Sequence, residues 1–151
     1  MSNPVIDVKS TLHISDTDVP WIESAPGFEF RILQARLDDP LVVNELRAQP
    51  GVESPLHRHD TPVLAWTIEG AWGHDRRYLY RPGTYVYETP GVVHRFLNGP
   101  EVTVALFIQT GDLVNLEDGD TGVLKTLAQR VSWYFEACET AGLPRPNVLL
   151  D

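Results

Sequence analysis

The chain has 151 residues, of which 42% are hydrophobic and 22% are charged, and its net charge is −9. These proportions are typical of a globular domain and exclude a largely disordered chain. An acidic chain repels a phosphate backbone, so we expect no nucleic-acid partner. The sequence has no long apolar run, no apolar leader and one cysteine, so we expect a cytoplasmic protein with no membrane span and no disulfide.

Short β-rich runs separated by turn residues fill most of the first 120 residues. Glycine occurs 11 times and proline 12 times, and Pro-Gly pairs repeatedly interrupt the chain. The runs between these breaks are rich in β-branched and aromatic residues, as strands are. We predict strands at 28–33, 41–47, 63–69, 78–80, 84–88 and 102–108. Short strands at this spacing are typical of an antiparallel barrel or sandwich.

The last third of the chain has a helical pattern. Apolar residues recur there every three or four positions, which predicts a helix over about 122–141. Asp120 or Thr121 is the candidate N-cap, and Gly142 followed by Pro144 is the expected end. We expect this helix to pack across the outside of the β-domain.

Three of the five histidines form a candidate metal site. His57 and His59 are two residues apart, so on a strand both side chains point to the same face. His94 follows the Pro-Gly turn at 90–91 and enters a strand that can neighbour the one carrying the pair. Three facial nitrogen ligands leave open positions, which is typical of a catalytic metal site. Imidazole suits several metals, so this pattern does not select one.

Two segments resemble the motifs of the cupin superfamily. GVESPLHRH at 51–59, followed by Glu-Gly at 69–70, resembles the first cupin motif, and GTYVYETPGVVHRFLN at 83–98 resembles the second. The resemblance implies one all-β domain over 1–151. Its core would be a cupin double-stranded β-barrel (jelly roll) over about 12–116, followed by the C-terminal α-helix predicted above.

A narrower resemblance is to the cupin group that contains 2,4'-dihydroxyacetophenone dioxygenase and the acetylacetone-cleaving diketone dioxygenase. The segments that carry it are VPW at 19–21, APG at 25–27, EGAW at 69–72 and GTYVYETPG at 83–91. Many cupins place a glutamate ligand four or five residues after the second histidine, but Val63 and Leu64 stand there in this chain. The diketone-cleaving group is similar in using three histidines and no carboxylate. The resemblance thus implies that His57, His59 and His94 bind Fe(II), with zinc, nickel and manganese as alternatives.

The activity implied by this resemblance is that of a mononuclear non-haem Fe(II) dioxygenase. With O2 it would cleave a C–C bond in a small β-diketone or hydroxyketone, leaving a carboxylic acid and a second carbonyl fragment. Three neutral ligands leave the full charge on the metal, which suits a bidentate enolate. The alternatives are another metal-dependent cupin enzyme (an isomerase, cyclase or decarboxylase) and a non-enzymatic, metal-dependent sensor of small molecules.

The expected assembly is a homodimer or homotetramer. Cupins with short edge strands cover those edges by pairing with a copy. Residues 1–20 are a candidate part of that interface, together with exposed tryptophans.

Glu88 is the candidate catalytic residue. Strand alternation puts it on one face with Val86, and puts Tyr85 and Tyr87 on the other. An inward carboxylate near a cation can accept the enol proton or hold a water. Glu88 also resembles an acid close to the metal in the diketone-cleaving group. The alternative interpretation is a surface glutamate at a strand end.

Arg76 and Phe96 are the candidate substrate-binding residues. Arg76 and Arg77 lie on the hairpin before the 78–80 run, where one of them can hold an anion; the alternative is a solvated turn. Phe96 shares a strand face with His94. We expect His74 to lie at a hairpin tip and not to bind the metal.

Overall fold

The computed structural model describes residues 12–117 and 123–150, with the backbone alone for 123–125. Most of the predicted interface segment at the amino end and both predicted helix caps, Asp120 and Thr121, lie outside the described residues. A 3-10 turn at Asp16–Asp18 precedes the first strand. The strands are β1 (Ile22–Ala25), β2 (Phe28–Arg36), β3 (Leu41–Ala48), β4 (His57–His59), β5 (Val63–Glu69), β6 (Trp72–Gly73), β7 (Tyr85–Glu88), β8 (Val93–His94), β9 (Leu97–Asn98), β10 (Thr103–Gln109), β11 (Leu113–Asn115) and β12 (Val123–Lys125), and the helix α1 is Leu127–Thr140.

The strands form two main antiparallel sheets. The larger has the order β1-β2-β3-β10-β5-β7, the smaller has the order β12-β11-β4-β8, and β6 pairs with β9. Both main sheets contribute side chains to the wall of one cavity, so they face each other across it. This arrangement confirms the predicted all-β jelly roll with a C-terminal helix.

Most of the predicted strands are present. The runs at 28–33, 41–47, 63–69, 84–88 and 102–108 correspond to β2, β3, β5, β7 and β10.

The predicted strand at 78–80 is wrong. The backbone N–H of Tyr78 donates to the Asp75 carbonyl at 2.9 Å, which closes a turn there. Only Tyr80 bridges to another strand residue, Trp72.

The helix begins later than predicted, at Leu127. Residues 123–125 instead form β12, which pairs with β11. Thr126 is the N-cap: its hydroxyl accepts from the Gln129 N–H at 3.0 Å, and the Gln129 side chain accepts from the Thr126 N–H at 2.9 Å. This capping box fixes the start, whereas apolar spacing alone cannot separate a short strand from a first helical turn. The helix ends before Gly142, whose φ is 72°, as predicted.

One face of α1 packs on the larger sheet. Tyr134 is fully buried there, and its hydroxyl donates to the Pro20 carbonyl at 2.6 Å, which ties the helix to the segment before β1. The buried cluster consists of Val19, Ile22, Ile32, Ala35, Val42, Leu127, Val131, Tyr134, Cys138 and Val148. A second face of the helix lines the cavity between the sheets. Within the described residues no helix is long and apolar enough to span a bilayer.

A second buried cluster lies between the two sheets. It consists of Phe28, Ala48, Val63, Ala65, Trp72, Val86, Phe96, Ala105 and Phe107. The turn from β5 to β6 brings Trp72 into this cluster and requires Gly70, whose φ is 74°. A Cβ at this position would lie 2.3 Å from the Val102 carbonyl oxygen, so only glycine fits.

The Tyr134 hydroxyl is expected to stabilise the docked helix. Tyr134→Phe leaves the Pro20 carbonyl without its donor and should lower the free energy of unfolding by about 1–2 kcal/mol. Tyr78→Phe is the matched control, since Tyr78 is 69% exposed, and should change stability by less than about 0.5 kcal/mol. Urea denaturation measures both. Equal effects of the two substitutions would show that the Tyr134 hydrogen bond does not anchor the helix.

Candidate metal centre

The structure brings the three predicted histidines together. His57 on β4 lies directly opposite His94 on β8 in the strand register, and His59 follows on the same face of β4. The ring centroids are 4.9 Å apart for His57 and His94, 5.1 Å for His57 and His59, and 5.9 Å for His59 and His94. One nitrogen from each ring lies within 4.8 Å of the others. We call these residues the histidine triad.

The free nitrogen atoms of the triad fit a metal ion. The Nδ1 of His57 lies 2.8 Å from the Pro55 carbonyl and donates to it, which leaves Nε2 with a free lone pair. The Nε2 of His94 and the Nδ1 of His59 are buried and have no hydrogen-bond partner in the described part of the chain. Buried polar atoms without a partner are costly, and a shared ion would satisfy such a nitrogen. The donor set therefore suits a divalent first-row metal.

Burial keeps the triad neutral. It lowers the pKa of His59 to about 3 and that of His94 to about 4, and it also lowers the pKa of His57. All three rings are thus deprotonated near neutral pH, as metal ligation requires.

Glu88 points inward beside the triad, as strand alternation predicts. The burial pattern of β7 alternates, with Val86 and Glu88 buried. Glu88 lies opposite Val63 across the β5–β7 pair. Val63 occupies a position where many cupins have a glutamate ligand, so the Glu88 carboxylate lies next to that position. Its Oε1 is 3.5 Å from His94 Nε2 and 4.0 Å from His59 Nε2.

The Glu88 carboxylate is held in its ionised form. Burial alone would raise its pKa, but the hydrogen bond from His74, with a smaller electrostatic contribution from the surrounding imidazoles, lowers it below the ordinary value. Glu88 can therefore accept a proton at neutral pH.

His74 lies just before the turn at 75–78, in the hairpin that Trp72 and Tyr80 join, but its side chain faces the triad. Its ring stacks on His94 with centroids 4.1 Å apart, and its Nε2 is 3.3 Å from Glu88 Oε2. The cause is the pairing of β6 with β9, which carries His74 next to the triad. Pairing between distant segments leaves no local signal in the sequence.

A short polar chain leads away from the Glu88 carboxylate. An ionised carboxylate only accepts hydrogen bonds, so Nε2 of His74 carries the proton that it shares with Glu88. The Nδ1 of His74 then accepts from the Tyr80 hydroxyl, which lies 3.1 Å away.

His57 and His59 of the triad, together with Glu88, line a cavity of about 690 Å³ between the two sheets and α1. Its wall is mainly apolar, and Phe96 contributes to it, stacked on Trp72 with centroids 5.0 Å apart. A substrate contact of Phe96 stays a prediction. A cavity of this size and lining suits a small, largely apolar ligand.

Arg76 does not line this cavity. Its guanidinium donates to the Asn98 carbonyl at 2.9 Å and pairs with Glu53 at 2.7 Å, with both side chains about half exposed. Arg77 pairs with Asp75 at 2.7 Å in the solvent. These contacts hold both arginine side chains at the surface. We therefore do not propose a substrate-binding role for Arg76. The cationic side chain in the cavity is Arg130 of α1, which the sequence analysis missed.

Acid should destabilise the metal-free protein through the triad. Below pH ~6.5 each of these histidines is protonated in the unfolded chain but not in the folded chain. The free energy of unfolding therefore falls as the pH drops through this range. The loss from pH 7 to pH 5 should be on the order of 1–2 kcal/mol for each of His59 and His94. Urea denaturation of metal-free protein measures it. His59→Asn should make the dependence of the unfolding free energy on pH shallower. An unchanged pH dependence would contradict the assignment of this loss to the histidines.

Comparison with known proteins agrees with this geometry. Residues 9–114 match the family model described as the ChrR cupin-like domain. No curated protein sequence matches the chain significantly. A cupin-like protein of unknown function from Ralstonia eutropha has a TM-score of 0.83 at 23% identity, covering 97% of this chain and 96% of that chain.

Two further solved structures share the fold. An acetylacetone dioxygenase from Acinetobacter johnsonii has a TM-score of 0.73 at 14% identity, covering 91% of this chain and 98% of that chain. The complex of SigE with the anti-sigma ChrR from Rhodobacter sphaeroides has a TM-score of 0.54 at 18% identity, covering 63% of this chain and 50% of the matched one. The family match spans more than half of the chain, and this protein therefore belongs to the ChrR cupin-like domain family.

Proposed function

We propose that the protein is a mononuclear non-haem Fe(II) dioxygenase that uses O2 to cleave a C–C bond in a small β-diketone or hydroxyketone. The observation that carries this proposal is the histidine triad, with Val63 where other cupins place a carboxylate ligand, at the wall of an apolar cavity. The shared fold with an acetylacetone dioxygenase supports it.

Iron, when bound to the triad, supplies a Lewis acid for the enolised ketone and a redox centre for O2. The neutral rings leave its full positive charge available, which favours an enolate over a neutral ketone. Zinc, nickel and manganese suit the same nitrogen ligands, so iron is part of the proposal.

Glu88 accepts the proton that the substrate loses on enolisation. It is buried, ionised and within 4.0 Å of two triad nitrogens. The hydrogen bond with His74 orients the carboxylate, and Tyr80 holds the far side of that ring. The three residues together keep the base in one position next to the triad.

The apolar wall holds the carbon skeleton of the substrate. Phe96, Trp72 and Phe107 line the cavity, and the Trp72 ring contacts the other two. Such a surface favours short alkyl or aryl groups and excludes water from the reacting atoms.

The second candidate function is a metal-dependent sensor of small molecules without turnover. The family model carries the name of ChrR, and a ChrR structure in complex with SigE shares the fold over part of the chain. Another cupin enzyme that needs no oxygen, such as an isomerase, cyclase or decarboxylase, uses the same ligands. Oxygen consumption separates the dioxygenase from both.

We also propose a cytoplasmic homodimer or homotetramer. In the described part of the chain, aromatic side chains are exposed on the outer face of β5 and β7: Trp66 is 47%, Tyr85 57% and Tyr87 54% exposed. Trp66 lies opposite Tyr85 in the register, so they form one patch beside the sheet edge. A second copy of the chain covering this patch would bury the apolar surface and the edge together.

The dioxygenase proposal is tested with an oxygen electrode. Protein loaded anaerobically with Fe(II) should consume O2 with a panel of 1,3-diketones or 2-hydroxyacetophenones and release a carboxylic acid, identified by mass spectrometry. Zinc-loaded protein is the control and should consume none. If no substrate is consumed by the iron form while the zinc form converts a related ketone without O2, the isomerase or cyclase function replaces the dioxygenase.

The role of Glu88 is tested by Glu88→Gln. Removing the base should lower kcat by roughly 100-fold while metal content stays the same, since the triad is intact. Glu69→Gln, at an exposed position of β5, is the matched control and should leave kcat unchanged. A Glu88 variant with normal turnover, or one that has lost its metal, would contradict the proposed role as a base.

A further inference from the structure

Arg130 lies on the face of α1 that lines the same cavity as His57 and His59 of the triad. Its Nη1 donates to the Gln109 side-chain oxygen, and its Nη2 donates to the Gly111 carbonyl at 3.0 Å. Gln109 in turn donates to the Asn44 side-chain oxygen at 2.9 Å. A guanidinium has five N–H donors, and these two bonds use two of them. The Nε is buried and has no hydrogen-bond partner in the described part of the chain.

Among the residues that the structure describes, no carboxylate is in direct contact with the Arg130 guanidinium. Its described hydrogen bonds go to neutral oxygens of Gln109 and Gly111. Burial lowers the pKa of Arg130 to about 10, although the charge of Asp112 raises it, so the group stays cationic at neutral pH. The Asp112 carboxylate is engaged by the Leu127 N–H at 3.0 Å.

The described wall of the cavity carries one permanently positive and one negative side chain. Arg130 is the one arginine or lysine in its described wall, and Glu88 is the one carboxylate there. Glu88 is already bound by His74 and faces the triad. A divalent ion on the triad would add two positive charges and give the cavity a net positive charge. Burying a cation without a counter-ion is costly, and an anionic ligand would remove that cost.

We propose that Arg130, held in place by Gln109, is the anion subsite of this cavity, and that the substrate carries a carboxylate which pairs with it. The substrate class is then a diketo acid or an acidic hydroxyketone, with its ketone end at the triad and its carboxylate at α1. The ketone part of this assignment rests on the proposed function; the anion subsite does not.

The competing explanation is that Arg130 only clamps α1 to β10. Its bonds to Gln109 and Gly111 join these elements and would exist without any ligand. If Arg130 has only this structural role, the protein should bind a carboxylate and its ester equally well, because neither ligand contacts Arg130. A subsite favours the carboxylate through charge-assisted hydrogen bonds.

The test measures binding by isothermal titration calorimetry on zinc-loaded protein, which does not turn over with O2. The probes are 3,5-dioxohexanoate, its methyl ester and neutral 2,4-pentanedione. We expect the acid to bind wild-type protein about 10- to 100-fold more tightly than the ester. Arg130→Gln should abolish this difference and leave the Kd of the two neutral probes within about threefold. Arg77→Gln, at a solvent-exposed arginine, is the matched control and should keep the full preference.

Equal affinity of acid and ester for wild-type protein would overturn the subsite, and this comparison needs no variant to fold. If Arg130→Gln weakened the binding of all three probes equally, the anion subsite would also be overturned, and only the structural role of Arg130 would remain. Arg130→Lys keeps the charge and should retain part of the preference. If the preference holds while the iron form consumes no O2 with any probe, the dioxygenase proposal fails and the anion subsite stands.

Discussion

The strand register that places His57 opposite His94 is the constraint on which the site depends. These two residues come from strands that are distant in the chain, and the neighbouring β11 fixes the other edge of β4. The register buries three imidazoles around one point, and burial then holds them neutral. A single-residue slip would turn these side chains to the other face of the sheet.

Two charged side chains from different elements, Glu88 of β7 and Arg130 of α1, line the cavity. Glu88 faces the triad and is ionised because His74 and its neighbours stabilise the negative charge. Arg130 comes from the helix and keeps a positive charge held by neutral oxygens. An apolar wall lies between the two sheets. With a divalent ion on the triad, this cavity would have a net positive charge although the chain as a whole carries a net charge of −9.

The triad was predictable because its evidence is local. His57 and His59 are two residues apart, and the Pro-Gly turn before His94 marks the start of a strand. The inward face of Glu88 followed from simple alternation. His74 and Arg130 were missed because each reaches the cavity through contacts between distant segments, the β6–β9 pair and the helix docked on the sheets. Periodicity placed a helix correctly but not its first turn, since the preceding residues pair as a strand.

The most direct test of the triad is the metal content of protein loaded anaerobically with Fe(II), desalted and analysed by inductively coupled plasma mass spectrometry. Wild-type protein and Glu88→Gln should each retain about one iron per chain, because our proposal assigns the protein ligands to the three imidazoles. His57→Ala and His94→Ala should retain almost none. Iron retained equally by the histidine variants, or lost from Glu88→Gln, would contradict a metal centre built on His57, His59 and His94.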